Sequence, residues 1–126
     1  MPHHVSKGDF ARLVEQALED LPAPFAEALD EVPVEIRPRP TRRQLTSLGL
    51  DADQLLLGLY HGRPRTERSV EDSGRLPDTI YIFQEDVELA CDSEAALIRE
   101  VRKTVLHELG HHFGMTEDDL DRLGYG

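Results

Sequence analysis

Apolar residues recur at helical spacing from Asp9 to Leu18, where Phe10, Leu13, Val14, Ala17 and Leu18 share one stripe. Ser6 or Asp9 stands in N-cap position, and Pro22 and Pro24 close the segment. Phe25 to Leu29 reads as a short second helix. Val32 to Arg37 alternates apolar and polar residues, as a half-buried strand does, with Pro33 placing it at the start or edge of a sheet. Residues 38–53 carry no clear period and read as irregular. The run Leu55-Leu56-Leu57-Gly58-Leu59-Tyr60 reads as a second strand. Gly62 to Gly74 is rich in Gly, Pro, Ser and charge and reads as a long exposed loop. Thr79 to Phe83 is the strongest strand pattern in the chain, and a turn is expected around Asp86–Asp92. The longest helix is then predicted from Ser93 to Phe113, with Ala95, Leu97, Ile98, Val101, Val105, Leu106 and Leu109 as its buried stripe. Gly114 suits the left-handed residue that ends such a helix. Thr116 then caps a last helix, Glu117–Leu123, with Asp119 in a capping-box position. This order predicts an α+β fold: N-terminal helices, a small mixed sheet of three or four strands, and a long helix packed on one face.

At 126 residues the chain has room for one core, so a single domain spanning 1–126 is expected. Its hydrophobic fraction of 39% and charged fraction of 31% are those of soluble globular proteins. No apolar run approaches the roughly 18 residues of a membrane-spanning helix, and Met1–Lys7 leads into a polar helix rather than an export segment. A cytoplasmic location is therefore expected. Cys91 is the one cysteine, which excludes an intrachain disulfide and a thiolate metal cluster. It reads as a small buried residue. A net charge of -11 repels phosphate backbones and anionic lipid, so neither nucleic acid nor membrane is an expected partner.

Chemistry concentrates at His107-Glu108-Leu109-Gly110-His111, the HExxH pattern. Residues four apart on a helix are separated by about 6 Å along the axis and rotated by only about 40°, so two imidazoles can converge on one ion. Neutral imidazole suits Zn²⁺, which in catalytic sites takes three protein ligands and leaves one position to water. The metal acidifies that water, and the glutamate beside the first histidine is placed to take its proton and pass it to a leaving amine. The motif lies in the C-terminal half of the longest predicted helix, which argues against a merely solvated histidine-rich helix end.

The extension through His112-Phe113-Gly114-Met115-Thr116-Glu117 has the spacing HExxHxxGxxE. It resembles the minimal zincin-like metallopeptidases, small bacterial proteins with the pattern HExxHxxGxxD. The resemblance continues at Leu57-Gly58-Leu59-Tyr60, Thr66-Glu67-Arg68-Ser69, Leu76-Pro77-Asp78 and Leu123-Gly124-Tyr125, over about the last two thirds of the chain. It implies a compact zincin-like domain that hydrolyses peptide bonds with one Zn²⁺ per chain. It implies His107 and His111 as ligands, Glu108 as catalytic base, a carboxylate at position 117 as third ligand, and a tyrosine under the metal site, a role Tyr125 can fill. In long zincins of the metzincin type the third ligand is a histidine instead. Here Glu117 replaces the family's aspartate, with Asp118 beside it as a rival ligand and a water-completed site as a third arrangement. Acidic residues are also common in any first helical turn.

The remaining candidates are weaker. His112 lies one residue off the ligand face and reads as a packing residue or a support for the ligands. His61 reads as a surface residue, and His3 and His4 as disordered. Met115 precedes the third-ligand position and reads as a hydrophobic contact closing the helix. In zincins the strand of Gly58 and Leu59 borders the cleft, and a peptide substrate adds to it as a further strand. An ordinary core strand is the competing reading of that segment. A peptide or protein substrate is expected, and a homodimer stays open. The rival function is a zinc-binding or partner-binding module without turnover, since only nine residues follow Glu117 to build a far cleft wall.

Overall fold

The structure, a computed structural model, describes residues 2–62 and 78–125. Positions 63–77, which hold most of the expected loop, the segment Thr66-Glu67-Arg68-Ser69 and the pair Leu76-Pro77, lie outside the described residues, as do Met1 and Gly126. Among the described residues the order is α1 (Lys7–Ala17), α2 (Phe25–Ala28), β1 (Val34–Arg37), α3 (Arg42–Ser47), β2 (Gly58–His61), β3 (Thr79–Phe83), α4 (Gln84–Ala90), α5 (Glu94–His112) and α6 (Glu117–Leu123). The architecture is α+β, with a mixed three-stranded sheet in the order β1-β3-β2. Strand β3 pairs parallel with β1, Val34 opposite Ile80, and antiparallel with β2, Gly58 opposite Ile82.

Ile80 and Ile82 point from β3 into the core, and α5 packs there with Leu97, Val101, Val105 and Leu109, none of them exposed. Phe10, Leu13, Val14 and Ala17 of α1 pack against α5 in the same core. Arg102 of α5 donates to the Asp20 carbonyl at 2.8 Å, which satisfies chain just beyond the end of α1. Ser6 is the α1 cap, its hydroxyl accepting the Asp9 N–H. No helix among the described residues is long and apolar enough to cross a membrane.

Several expectations shift. Strand β2 begins at Gly58, because the Leu56 N–H is taken by the Asp86 carboxylate at 2.9 Å and Leu55 is exposed. His61 ends that strand rather than following it, and its exposed ring lies tilted against Tyr81. Residues 38–53 contain α3, started by a reciprocal Thr41–Gln44 capping box. The expected turn at 86–92 is mostly helix α4, which inserts Val87 into the core. Ala95 is exposed, since the stripe of α5 begins in phase at Leu97. His3 and His4 are ordered: the His3 N–H donates to the Glu88 carbonyl and His4 Nδ1 lies 3.2 Å from the Glu88 carboxylate. Burial raises the Glu88 carboxyl, but the Val5 N–H, the Gln84 amide and His4 together hold it below its ordinary value. Cys91 is buried at the end of α4, as expected.

Candidate metal centre

Helix α5 is capped by Ser93 and runs 19 residues, so His107 and His111 sit on its last two turns with their rings 4.9 Å apart. It ends in a Schellman arrangement: Gly114 is left-handed at φ 77°, its N–H reaches the His111 carbonyl, and the Met115 N–H reaches the Gly110 carbonyl. Met115 also packs against the core at this reversal. Thr116 starts α6 with a reciprocal capping box, its hydroxyl accepting from the Asp119 N–H and the Asp119 carboxylate accepting the Thr116 N–H.

That reversal carries Glu117 back over the histidines. Its Oε1 lies 3.0 Å from His111 Nε2 and its Oε2 lies 3.5 Å from His107 Nε2. Donor atoms of the three residues all fall within 4.8 Å of one another. A tetrahedral zinc with bonds of about 2.0–2.2 Å needs donors roughly 3.3–3.6 Å apart, so the spacing and the donor set both fit that ion. Asp119 is occupied by the cap and by Arg122, and Asp118 stays exposed outside the cluster.

Two features missing from the sequence reading hold this geometry. Gly110 has no side chain because Leu120 fills the space: a Cβ there would lie 2.3 Å from Leu120 Cδ2. Leu120 is fully buried, so this contact seats α6 on α5 and sets where Glu117 starts. The second feature is the Tyr125 carbonyl, which accepts a hydrogen bond from His107 Nδ1 at 2.9 Å. The bond leaves Nε2 as the lone-pair nitrogen toward Glu117. Tyr125 therefore supports the site through its backbone, while its ring packs edge-on against Phe25.

Glu108 projects from the same turn toward β2. Its side chain is 13% exposed, and its Oε1 accepts the Tyr60 N–H at 2.8 Å and lies 3.9 Å from His111 Nδ1. Burial pushes its carboxyl above the ordinary value, against the pull of His111, the Tyr60 N–H and His107, with Glu117 adding to the rise. His112 turns the other way and is fully buried beside Asp78 and Tyr60. Gly58 faces α5, where a Cβ would meet Thr104 Cγ2 at 2.5 Å, so the close approach its lack of a side chain permits is made by the helix. Leu59 alternates to the opposite face. Beside the histidines a shallow cavity of about 270 Å³ is lined by Leu56, Leu57, Gly58, Thr104, His107 and Tyr125.

A family model described as zincin-like metallopeptidase matches residues 29–126. The chain therefore belongs to that family, with α1 and α2 outside the matched segment. Among solved structures, a conserved hypothetical protein from Thermo thermophilus is similar over 94% of this chain and 97% of that chain, with 25% identity and a TM-score of 0.55. No curated protein matches.

Proposed function

From that membership we propose that the chain is a zinc-dependent metallopeptidase whose ion is held by His107, His111 and Glu117 and whose general base is Glu108. The observation that carries the reading is the placement of Glu108. A carboxyl with raised affinity for protons stands on the helical turn of two convergent imidazoles, held by a backbone N–H of the edge strand. Bound there, zinc would supply a Lewis acid that polarises a carbonyl and acidifies water. The Glu108 carboxylate would accept a proton from the attacking water and return it to the departing amine. Among the described residues β2 pairs only with β3; on its other edge the Tyr60 N–H is taken by Glu108, and an extended peptide would add along the rest of that edge. The 270 Å³ cavity, lined by Glu100 and Lys103 as well as Leu56 and Leu57, has room for about one side chain beside the scissile bond. We place the activity in the cytoplasm, in one domain spanning 1–126.

The test is a mixed peptide library digested by zinc-loaded protein and by Glu108→Gln. Gln keeps size and still accepts the Tyr60 N–H, but it cannot take a proton. Cleavage by wild type with a fall of about 10²-fold or more in the variant, at equal zinc content, supports the reading. Equal cleavage by both proteins assigns the activity elsewhere, and no cleavage by either favours the zinc-binding module without turnover.

A further inference from the structure

Strand β2 is held against α5 by more than sheet pairing. The Ile80 N–H donates to the Pro33 carbonyl on the β1 side, so the Tyr60–Ile80 pair is the non-hydrogen-bonded kind. The Tyr60 N–H consequently faces away from β3, and Glu108 is what it meets. Alternation puts the Gly58 and Tyr60 side-chain positions on the face that carries α5. At Gly58 the helix touches backbone through Thr104. Two residues on, the Tyr60 ring reaches across, edge-on to His112, and its hydroxyl donates to the Asp78 carboxylate. His112 Nδ1 lies 3.3 Å from both that hydroxyl and Asp78 Oδ2. Asp78 is 4% exposed and His112 is fully buried. Polar groups this deep are costly unless they hydrogen-bond, and their bonding restricts the parts they join to one arrangement.

We propose that Tyr60 is a positioning residue that sets the orientation of Glu108: its backbone N–H holds the carboxylate, and its hydroxyl ties that stretch of β2 to α5 through Asp78 and His112. His112 follows His111 directly, so one helix turn carries both a proposed metal ligand and the anchor of the strand that aims the base. The edge of the cleft and the base are thereby set by a single residue, one through its side chain and the other through its backbone N–H. The consequence for turnover rests on the metallopeptidase reading, whereas the clamp itself does not.

The experiment uses the full chain and Tyr60→Phe, which keeps the ring and removes the hydroxyl. Amide hydrogen exchange is followed at residue 60 and at Ile82 on the neighbouring strand, together with zinc content. The expected result is exchange at residue 60 at least about tenfold faster, unchanged exchange at Ile82 and undiminished zinc. Glu108→Ala, which removes the acceptor, should likewise speed residue 60. With a cleaved peptide in hand, Tyr60→Phe should lower kcat about tenfold with little change in KM. Exchange at residue 60 equal to wild type in either variant overturns the proposal. So does equal acceleration at Ile82, which marks a general loss of stability. If wild type cleaves nothing, the metallopeptidase reading fails while the exchange result still decides the clamp.

Discussion

Two walls flank the histidine pair, and they are built differently. The wall of Glu108 is the edge strand β2, with Gly58 beneath Thr104 and Tyr60 tied to buried Asp78 and His112. The wall of Glu117 is a seven-residue helix with Leu120 as its buried residue, and the Glu117 side chain is 66% exposed. The first is held by contacts far apart in the chain. The second is held by its own start, a glycine reversal and a capping box, plus one leucine in the notch of Gly110. The difference matches what each carboxylate would do under the proposed function. A ligand can be ordered by the ion it binds, because binding energy offsets the entropy of fixing it. A base has no such partner before the reaction and has to be oriented beforehand by the protein.

The sharpest way to break this comparison is to remove what both walls share. His107→Ala or His111→Ala should abolish zinc binding measured by metal analysis of protein purified without chelator. In wild type the affinity should weaken on acidification, because protons compete for the ligand nitrogens. Equal zinc in wild type and the double variant would remove the metal centre and with it the contrast.

The exposed wall is tested next. Glu117→Ala should weaken zinc by roughly 100-fold or more, beyond what loss of a supporting residue causes, and Asp118→Ala should change it little. Glu117→Asp should keep the metal if α6 closes by about one methylene. Unchanged affinity in Glu117→Ala would reduce this residue to a helix-start acid.

A smaller effect is expected where α6 meets α5. Gly110→Ala forces Leu120 out of its notch and should cost about 1–3 kcal/mol in chemical denaturation, with a modest loss of zinc affinity. Adding Leu120→Ala returns space, so the double variant should lose less than the two single effects summed. Strict additivity would show that Leu120 does not seat α6 through Gly110.

The smallest effect belongs to the rigid wall. A carboxyl whose folded pKa is raised destabilises the fold when ionised. The penalty is full above the raised value and vanishes below the ordinary glutamate range. Metal-free Glu108→Gln should therefore melt higher than metal-free wild type at neutral pH, on the order of a few °C, with the gap closing toward about pH 4. A lower melting temperature would mean that the ionised base is comfortable in its pocket.

Much of the metal side is legible from the residues in order. The phase of α5, the left-handed Gly114, the Thr116 cap and the return of Glu117 rather than Asp118 follow from interactions spanning a turn or two of chain. The T-x-x-Q signal of α3 is equally local, though residues 38–53 read as irregular without it, and a turn is expected at 86–92 where most of α4 forms. The other wall has no such signal. Tyr60 and Glu108 are 48 residues apart, Tyr60 and His112 are 52, and Asp78 and His112 are 34. Gly58 and Gly110 look like flexible positions until the helices that press on them are in place. Tyr125 is expected beneath the metal site, but only packing turns its carbonyl to His107 and its ring to Phe25. Capping, helical phase and chain reversal are decided by neighbours in sequence, so the residue string determined that His107, His111 and Glu117 converge. The aim of the base depends on which strand edge lies across the helix, and only folding, by burying α5 against the sheet, decides that.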